Sequence, residues 1–288
     1  MGSISSTPKV NRWGILGGAW IAKSAVAPAL IRSKFAQLSA VASNSEARVE
    51  QFQRLQPNLR VHGSYDSLLA DDDIDCLYIP LPNTSHVDWA IAALEAGKHV
   101  LCEKPMAMHA SDFDLLERAS EKTGRHLAEA LMVLHHPQWY RVKELLDAGV
   151  IGELRCIDCV FTFANSDANN IRNRSETGGG ALRDLAAYPI AVTRFVTGQD
   201  AARGMGTCAN VSIFEGGVDV LSDAMVKFSG CSLNFRVGLR LSSRQEIVFH
   251  GADGWLRLSA PFNPETYGAA RIEIRKQTGQ MSIEDVTG

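Results

Sequence analysis

Two side chains of this 288-residue sequence are spaced to move a proton together. Asp184 and Tyr188 stand four residues apart in a stretch that reads as a helix, so one turn separates them and both fall on one face. Oxidation of an alcohol needs a base near the hydroxyl, and reduction of a carbonyl needs the same group as an acid. An ordinary tyrosine has a pKa of about 10 and keeps its proton at neutral pH. A cation within about 4–6 Å lowers that value by roughly 1–3. The glycines Gly178-Gly179-Gly180 just upstream would let the backbone pass close to a bound group.

A second set of residues has the spacing of a phosphate cradle. The apolar run Arg12-Trp13-Gly14-Ile15-Leu16 ends in Gly17-Gly18-Ala19-Trp20-Ile21-Ala22, and a helical pattern follows from Ile21 to Arg32. A dinucleotide fingerprint has G-x-G-x-x-G/A at such a strand-to-helix turn, with backbone N–H groups at the helix start facing the pyrophosphate. The first glycine and the closing small residue are present, and Ala19 replaces the middle glycine. The next strand ends in Ala42-Ser43-Asn44. With no carboxylate there to repel a 2′-phosphate, Ser43 and Asn44 point to NADP, mildly and without excluding NAD.

Other reactive residues read as structural. Cys156 and Cys159 form a C-x-x-C in a strand, where odd spacing sends them to opposite faces. No second C-x-x-C completes a zinc site, and His135 and His136 lack further ligands at metal spacing, so no metal is expected. Met1 to Ser6 fits the loose N-myristoylation pattern, but the pattern is short and a single acyl chain anchors weakly, so a flexible polar leader is the favoured reading.

The elements that must position these groups alternate strand and helix through the first half. The strands are Gln37–Ala42, a short one at Val61, the apolar Cys76–Ile79, His99–Cys102 and Leu127–Val133. The helices are Ser45–Leu55, His86–Ala96 (stopped by Gly97) and Ser111–Thr123. This is a βαβ pattern, and it predicts a doubly wound parallel sheet. From Leu154 onward most elements read as strands: Ala209–Phe214, Val220–Phe228, Ser232–Leu241, Glu246–Gly251, Trp255–Leu258 and a last one at Ala270–Lys276. The fold expected is α/β, with an N-terminal Rossmann domain over residues 1–132 and a C-terminal α+β domain over 133–288 built on a large, mostly antiparallel open sheet. A net charge of −3 advertises no nucleic-acid partner. No apolar run reaches the length of a membrane span, and a cytoplasmic setting is expected.

Several segments resemble the glucose-fructose oxidoreductase / inositol dehydrogenase (Gfo/Idh/MocA) family. They are Pro80-Leu81-Pro82-Asn83-Thr84-Ser85-His86, Glu103-Lys104-Pro105 at a strand end, Glu129-Ala130-Leu131-Met132 with His135-His136-Pro137, and Gly178 to Tyr188. Within the family the sequence is similar to the branch of glucose-fructose oxidoreductase, dihydrodiol dehydrogenases and NADP-linked xylose dehydrogenases. Ala19, Asn170-Ile171-Arg172 and Tyr188 are features of that branch, which usually has arginine where this chain has Asn44.

The resemblance implies an NAD(P)-dependent oxidoreductase acting on a sugar, polyol or related alcohol or carbonyl. Tyr188 would be its acid–base residue, Lys104 the cation that activates it, and Asp184 the residue that orients Lys104 and the substrate hydroxyl. Gly17, Gly18, Ala19, Trp20, Ile21, Ser43, Asn44, Leu81, Pro82, Asn83, His86, Glu103 and Lys104 would hold the cofactor, His86 either touching it or capping its own helix. Asn170 and Arg172 would meet substrate or cofactor. The resemblance also implies a homo-oligomer built on dimers through the C-terminal sheet, and a closing helix, packed on the first domain, that this sequence ends before: a cut chain or a short variant. Two alternatives stand beside this reading: a non-catalytic nucleotide-binding sensor, and a carbonyl or dihydrodiol reductase.

Overall fold

The computed structural model describes residues 10–201 and 208–287, so the leader Met1 to Ser6 lies outside the described residues. Two compact units divide the chain, Met1–Ala130 and Leu131–Gly288.

In the first unit the parallel strands are β1 (Asn11–Leu16), β2 (Ala36–Ala42), β3 (Arg60–His62), β4 (Cys76–Ile79), β5 (His99–Cys102) and β6 (Leu127–Glu129), ordered β3-β2-β1-β4-β5-β6. The order reverses direction at β1, the switch point at which such sheets bind ligands. The connecting helices are α1 (Ala27–Arg32), α2 (Glu46–Leu55), α3 (Tyr65–Leu69), α4 (His86–Glu95) and α5 (Ala110–Thr123). Every residue of β4 is buried, because both faces of the sheet are covered. Leu77 and Ile79 pack with Ala90 and Leu94 of α4 and Leu116 of α5. Ile15 and Tyr78 pack on the opposite side with Leu30 and Phe52.

The helix expected from Ile21 to Arg32 forms in two parts. A π-helical turn, Ala22–Val26, precedes α1, and the Ala27 N–H reaches back to the Ala22 carbonyl. Pro28 has no N–H to donate to the preceding turn, so the regular pattern widens before it.

The second unit carries α6 (Pro137–Asp147), α7 (Ala181–Leu185) and α8 (Ala187–Thr197) beside one sheet. Its described strands are β7 (Leu154–Ala164), β8 (Cys208–Glu215), β9 (Val218–Lys227), β10 (Ser232–Gly238), β11 (Arg240–Gly251), β12 (Gly254–Leu258), β13 (Arg271–Lys276) and β14 (Met281–Asp285). They are ordered β14-β13-β12-β11-β7-β10-β9-β8. The β10–β7 pair is parallel and the others are antiparallel. Ile157, Cys159 and Phe161 of β7 join Trp139, Val142, Val192 and Val196 in the core.

Several features depart from the expectation, among them the strand expected over Leu127–Val133, which ends at Glu129 and is followed by a 3-10 turn, Met132–His135. The helix α6 and the strand β14 were not anticipated. β11 also starts at Arg240 rather than Glu246, because its first residues are polar and solvent-exposed, with a register shift before Arg244. An exposed polar edge leaves no apolar alternation in the sequence.

Candidate active site

The turn after β1 has the shape a pyrophosphate cradle needs. Gly17 takes φ +106, a backbone conformation open chiefly to glycine. Its N–H donates to the Ala42 carbonyl at 2.7 Å, and a Cβ on it would lie 2.8 Å from Leu81 Cδ2. A Cβ on Gly18 would lie 2.7 Å from Cβ of Arg48 and 3.0 Å from Oγ of Ser43. Helix begins at Trp20, whose side chain is 73% exposed. Ile21 is also exposed, while Ala22 is fully buried. Gly17, Gly18, Ser43 and Leu81 are therefore neighbours, and Arg48 belongs with them. Sequence reading missed Arg48. It sits four residues beyond the exposed Asn44, on α2, and the fold lays its stem across Gly18.

Lys104 has only 9% of its surface exposed, in a segment fixed at three points. Tyr78 on β4 donates its hydroxyl to Glu103 Oε1 at 2.5 Å. His86, fully buried at the start of α4, has Nδ1 2.8 Å from the Pro105 carbonyl oxygen and Nε2 2.8 Å from that of Leu81. Glu129 on β6 accepts from the Met106 N–H at 2.8 Å. His86 thus ties the segment after β5 to the one after β4, which gives it a bracing role. Pro82 precedes, and Asn83 opens, a 3-10 turn that leads into α4.

Asp184 is also buried, and its Oδ2 accepts from Arg172 Nε at 2.7 Å. Arg172 is held in turn, its N–H donating to Asn170 Oδ1 at 3.1 Å. Asn170 therefore caps the turn Ile171–Asn173. The glycine triplet fits against this turn. A Cβ on Gly179 would lie 2.5 Å from the Arg172 carbonyl oxygen. One on Gly180, at φ +121, would lie 2.2 Å from Asp219 Oδ1. Gly179 and Gly180 are therefore packed tightly against protein atoms. Asp219 on β9 also accepts from the Leu182 N–H and the Ser222 hydroxyl, both at 2.8 Å, anchoring the start of α7. It too was missed.

Pro189 lacks the N–H that would donate to Leu185, and the helix is interrupted at Ala186. Ala186 keeps helical angles of φ −68 and ψ −23, which preserves the one-turn spacing of Asp184 and Tyr188. The Tyr188 ring meets Phe161 at 5.3 Å and Phe262 at 5.5 Å between centroids.

The cysteines form no disulfide. Cys159 is in the core and Cys156 on the opposite face, as the strand period requires. Among the described residues, donor atoms of Cys156, Asp158 and His250 come within 4.8 Å of one another. His250 Nε2 and Asp158 Oδ2 lie 3.1 Å apart there, on exposed side chains.

A dinucleotide fits the first of these arrangements. The Gly17–Gly18 turn has no room for side chains, a helix starts at the switch point, and a guanidinium stem crosses the turn. A fold and turn of this kind define a dinucleotide-binding class of protein. Comparison with known proteins makes the assignment specific. Residues 11–131 match the NAD-binding Rossmann model of the oxidoreductase family GFO_IDH_MocA, and residues 139–257 match that family's C-terminal domain. The chain belongs to this family and is an NAD(P)-dependent oxidoreductase.

It is 39% identical to an uncharacterized oxidoreductase of Rhizobium meliloti over 91% of this chain and 78% of that protein. It is 32% identical to D-xylose 1-dehydrogenase (NADP(+)) 2 of Haloferax volcanii over 90% and 79%. It superposes on KijD10, a 3-ketoreductase from Actinomadura kijaniata solved with NADP and TDP-benzene, with a TM-score of 0.89 at 29% identity, covering 97% of this chain and 85% of that one.

Proposed function

We propose that this protein is an NADP-dependent dehydrogenase or reductase of a sugar, polyol or related substrate, and that Lys104, Asp184 and Tyr188 act on the reacting CH–OH group. The observation that carries the reading is Lys104 itself. It is a lysine nine-tenths buried, in a segment that Tyr78, His86 and Glu129 hold from three strands and helices. Burying an ammonium is costly, and a fold that builds three supports around one has a use for its position.

When bound, the cofactor supplies hydride transfer through its nicotinamide. The protein does the rest. Gly17, Gly18, Ala19, Trp20 and Ile21 receive the pyrophosphate. Ser43, Asn44 and Arg48 face the adenine ribose, where a guanidinium is suited to a phosphate. Leu81, Pro82, Asn83 and Glu103 complete the cofactor site. Tyr188 gives or takes the hydroxyl proton, Lys104 stabilises the phenolate and the substrate oxygen, and Asp184, fixed by Arg172, orients them. Solved NADP complexes of KijD10 and the NADP-linked xylose dehydrogenase relative support the cofactor and substrate class. The Phe161 and Phe262 rings around Tyr188 favour a second substrate reading, an aromatic dihydrodiol or carbonyl compound. The relative trans-1,2-dihydrobenzene-1,2-diol dehydrogenase of Mus musculus is named for such chemistry.

The same proposal includes a homo-oligomer built on dimers through the outer face of the second unit's sheet. Asp158, Val160, Met225, Arg236 and Glu246 line an open concavity of about 510 Å³ there, and mass in solution tests it. No helix among the described residues is long and apolar enough to cross a membrane, and a cytoplasmic compartment suits a chain whose cysteines form no disulfide. The function is tested by following NADP reduction across an aldose, polyol and dihydrodiol panel.

A further inference from the structure

A cavity of about 380 Å³ in the second unit is lined by Met132, His135, His136, Phe262, Pro264 and Glu265 among others. That is within the size range of small-ligand sites. Phe262 is fully buried and also packs on the Tyr188 ring, so the cavity lies one ring away from the residue read as the acid–base group.

Its wall is fixed in advance. The buried Gln138 donates Nε2 to the Pro261 carbonyl at 2.9 Å. The buried Gln245 accepts at Oε1 from the Phe262 and Asn263 N–H groups, at 3.3 and 3.1 Å. Beyond them Glu265 takes φ +68, the one non-glycine residue with positive φ among the described residues. Its N–H donates to the Gly268 carbonyl at 2.8 Å. A side chain there is sterically costly, and glycine would relieve it. The sequence instead places a carboxylate at the cavity mouth, close enough for its charge to act on His136. Desolvation outweighs that charge and lowers the His136 pKa, so at neutral pH the ring brings no positive charge to the cavity.

A carboxylate beside the neutral His136 ring and the apolar Met132 and Phe262 side chains suits a ligand with hydroxyl donors on one edge and C–H groups on a face. We propose that Glu265 is a specificity-determining residue. In this proposal its carboxylate accepts hydrogen bonds from adjacent hydroxyls of a neutral polyhydroxylated substrate and disfavours one carrying a nucleoside diphosphate. The inference rests on the reading of Tyr188 as the acid–base group, whose ring packs on the Phe262 side chain that lines the cavity.

The test uses Glu265→Gly, which keeps the backbone conformation without strain, and Glu265→Gln, which keeps the shape without the charge. The full chain with NADP is titrated calorimetrically with D-xylose, D-glucose, myo-inositol and thymidine diphosphate glucose, and turnover of each is measured. The expected result is that a neutral member binds best to the wild type. Its Kd and KM then rise roughly 10–100-fold in Glu265→Gly, as for the loss of hydrogen bonds to a charged group, while kcat stays within a few-fold. Glu265→Gln should lie between. Unchanged Kd and KM in both variants, no binding by any neutral member, or tighter binding of thymidine diphosphate glucose would overturn the proposal. Neutral binding that weakens in the variants without turnover in any form would support it and count against the Tyr188 reading alone.

Discussion

Arg172 and Asp184 are joined by a hydrogen bond of 2.7 Å between Nε and Oδ2, twelve residues apart in sequence and linked by the glycine triplet. The family resemblance implies that Arg172 meets substrate or cofactor and that Asp184 orients Lys104 and the substrate hydroxyl. The pairing makes Arg172 a positioning residue for Asp184. Replacing Arg172 by Ala should weaken catalysis through Asp184 and destabilise the fold. Arg172 is itself partly solvated, with 38% of its side chain exposed, so the stability loss should be modest, about 1–2 kcal/mol. Urea unfolding measures the stability change, and kcat measured separately from KM gives the catalytic one. Arg172→Lys should restore most of the stability and less of kcat, because a lysine cannot reproduce the geometry of Nε.

Gly180→Ala should be costlier. It combines a backbone at φ +121 with a contact of 2.2 Å to Asp219 Oδ1, and it disturbs the carboxylate that holds the start of α7. A loss of about 2–4 kcal/mol is expected in urea unfolding. An alanine tolerated without loss would contradict the packing described for this turn.

Arg48 sets the expected cofactor preference. Arg48→Ala should raise the Kd of NADP roughly 10–100-fold, as expected for removal of a charge-assisted contact, and leave that of NAD nearly unchanged. Fluorescence titration with both nucleotides gives the ratio. Equal weakening toward both would place Arg48 at the pyrophosphate instead.

The parallel strands of the first unit were legible where burial on both faces makes them apolar throughout, as in Cys76–Ile79. The Lys104 segment was legible through a local motif. Arg48 and Asp219 were not. Each acts through a contact with a glycine turn far away in sequence, Gly18 for one and Gly180 for the other, and a glycine does not announce what stands against it. β14 was missed because most of its residues are exposed, which leaves no strong apolar alternation. His86 shows the opposite limit. The motif marked it, but only the structure shows both its ring nitrogens on backbone carbonyls.

The strand β14 is fastened to α6 by Glu284, which receives Arg141 Nε at 2.7 Å and Nη2 at 3.0 Å. The hydrogen bond from Arg141 is the chief reason the Glu284 pKa is lowered. A depressed carboxylate contributes stability above the ordinary glutamate pKa of about 4.3, and that contribution is lost as pH falls through the lower folded value. Comparing Tm against pH for the wild type and Glu284→Gln should therefore show a gap near neutrality that closes in acid. A gap that widened in acid would contradict the pairing.

The central claim is that this is a working oxidoreductase in which Tyr188 moves the proton. Its most direct test is the initial rate of NADP reduction with the best neutral substrate, in wild type and Tyr188→Phe, alongside NADP affinity for both. Turnover by the wild type is expected, with a loss of about 10²–10⁴ in kcat for Tyr188→Phe and NADP bound equally well. Tight NADP binding without turnover in either protein, or equal rates in both, would contradict it.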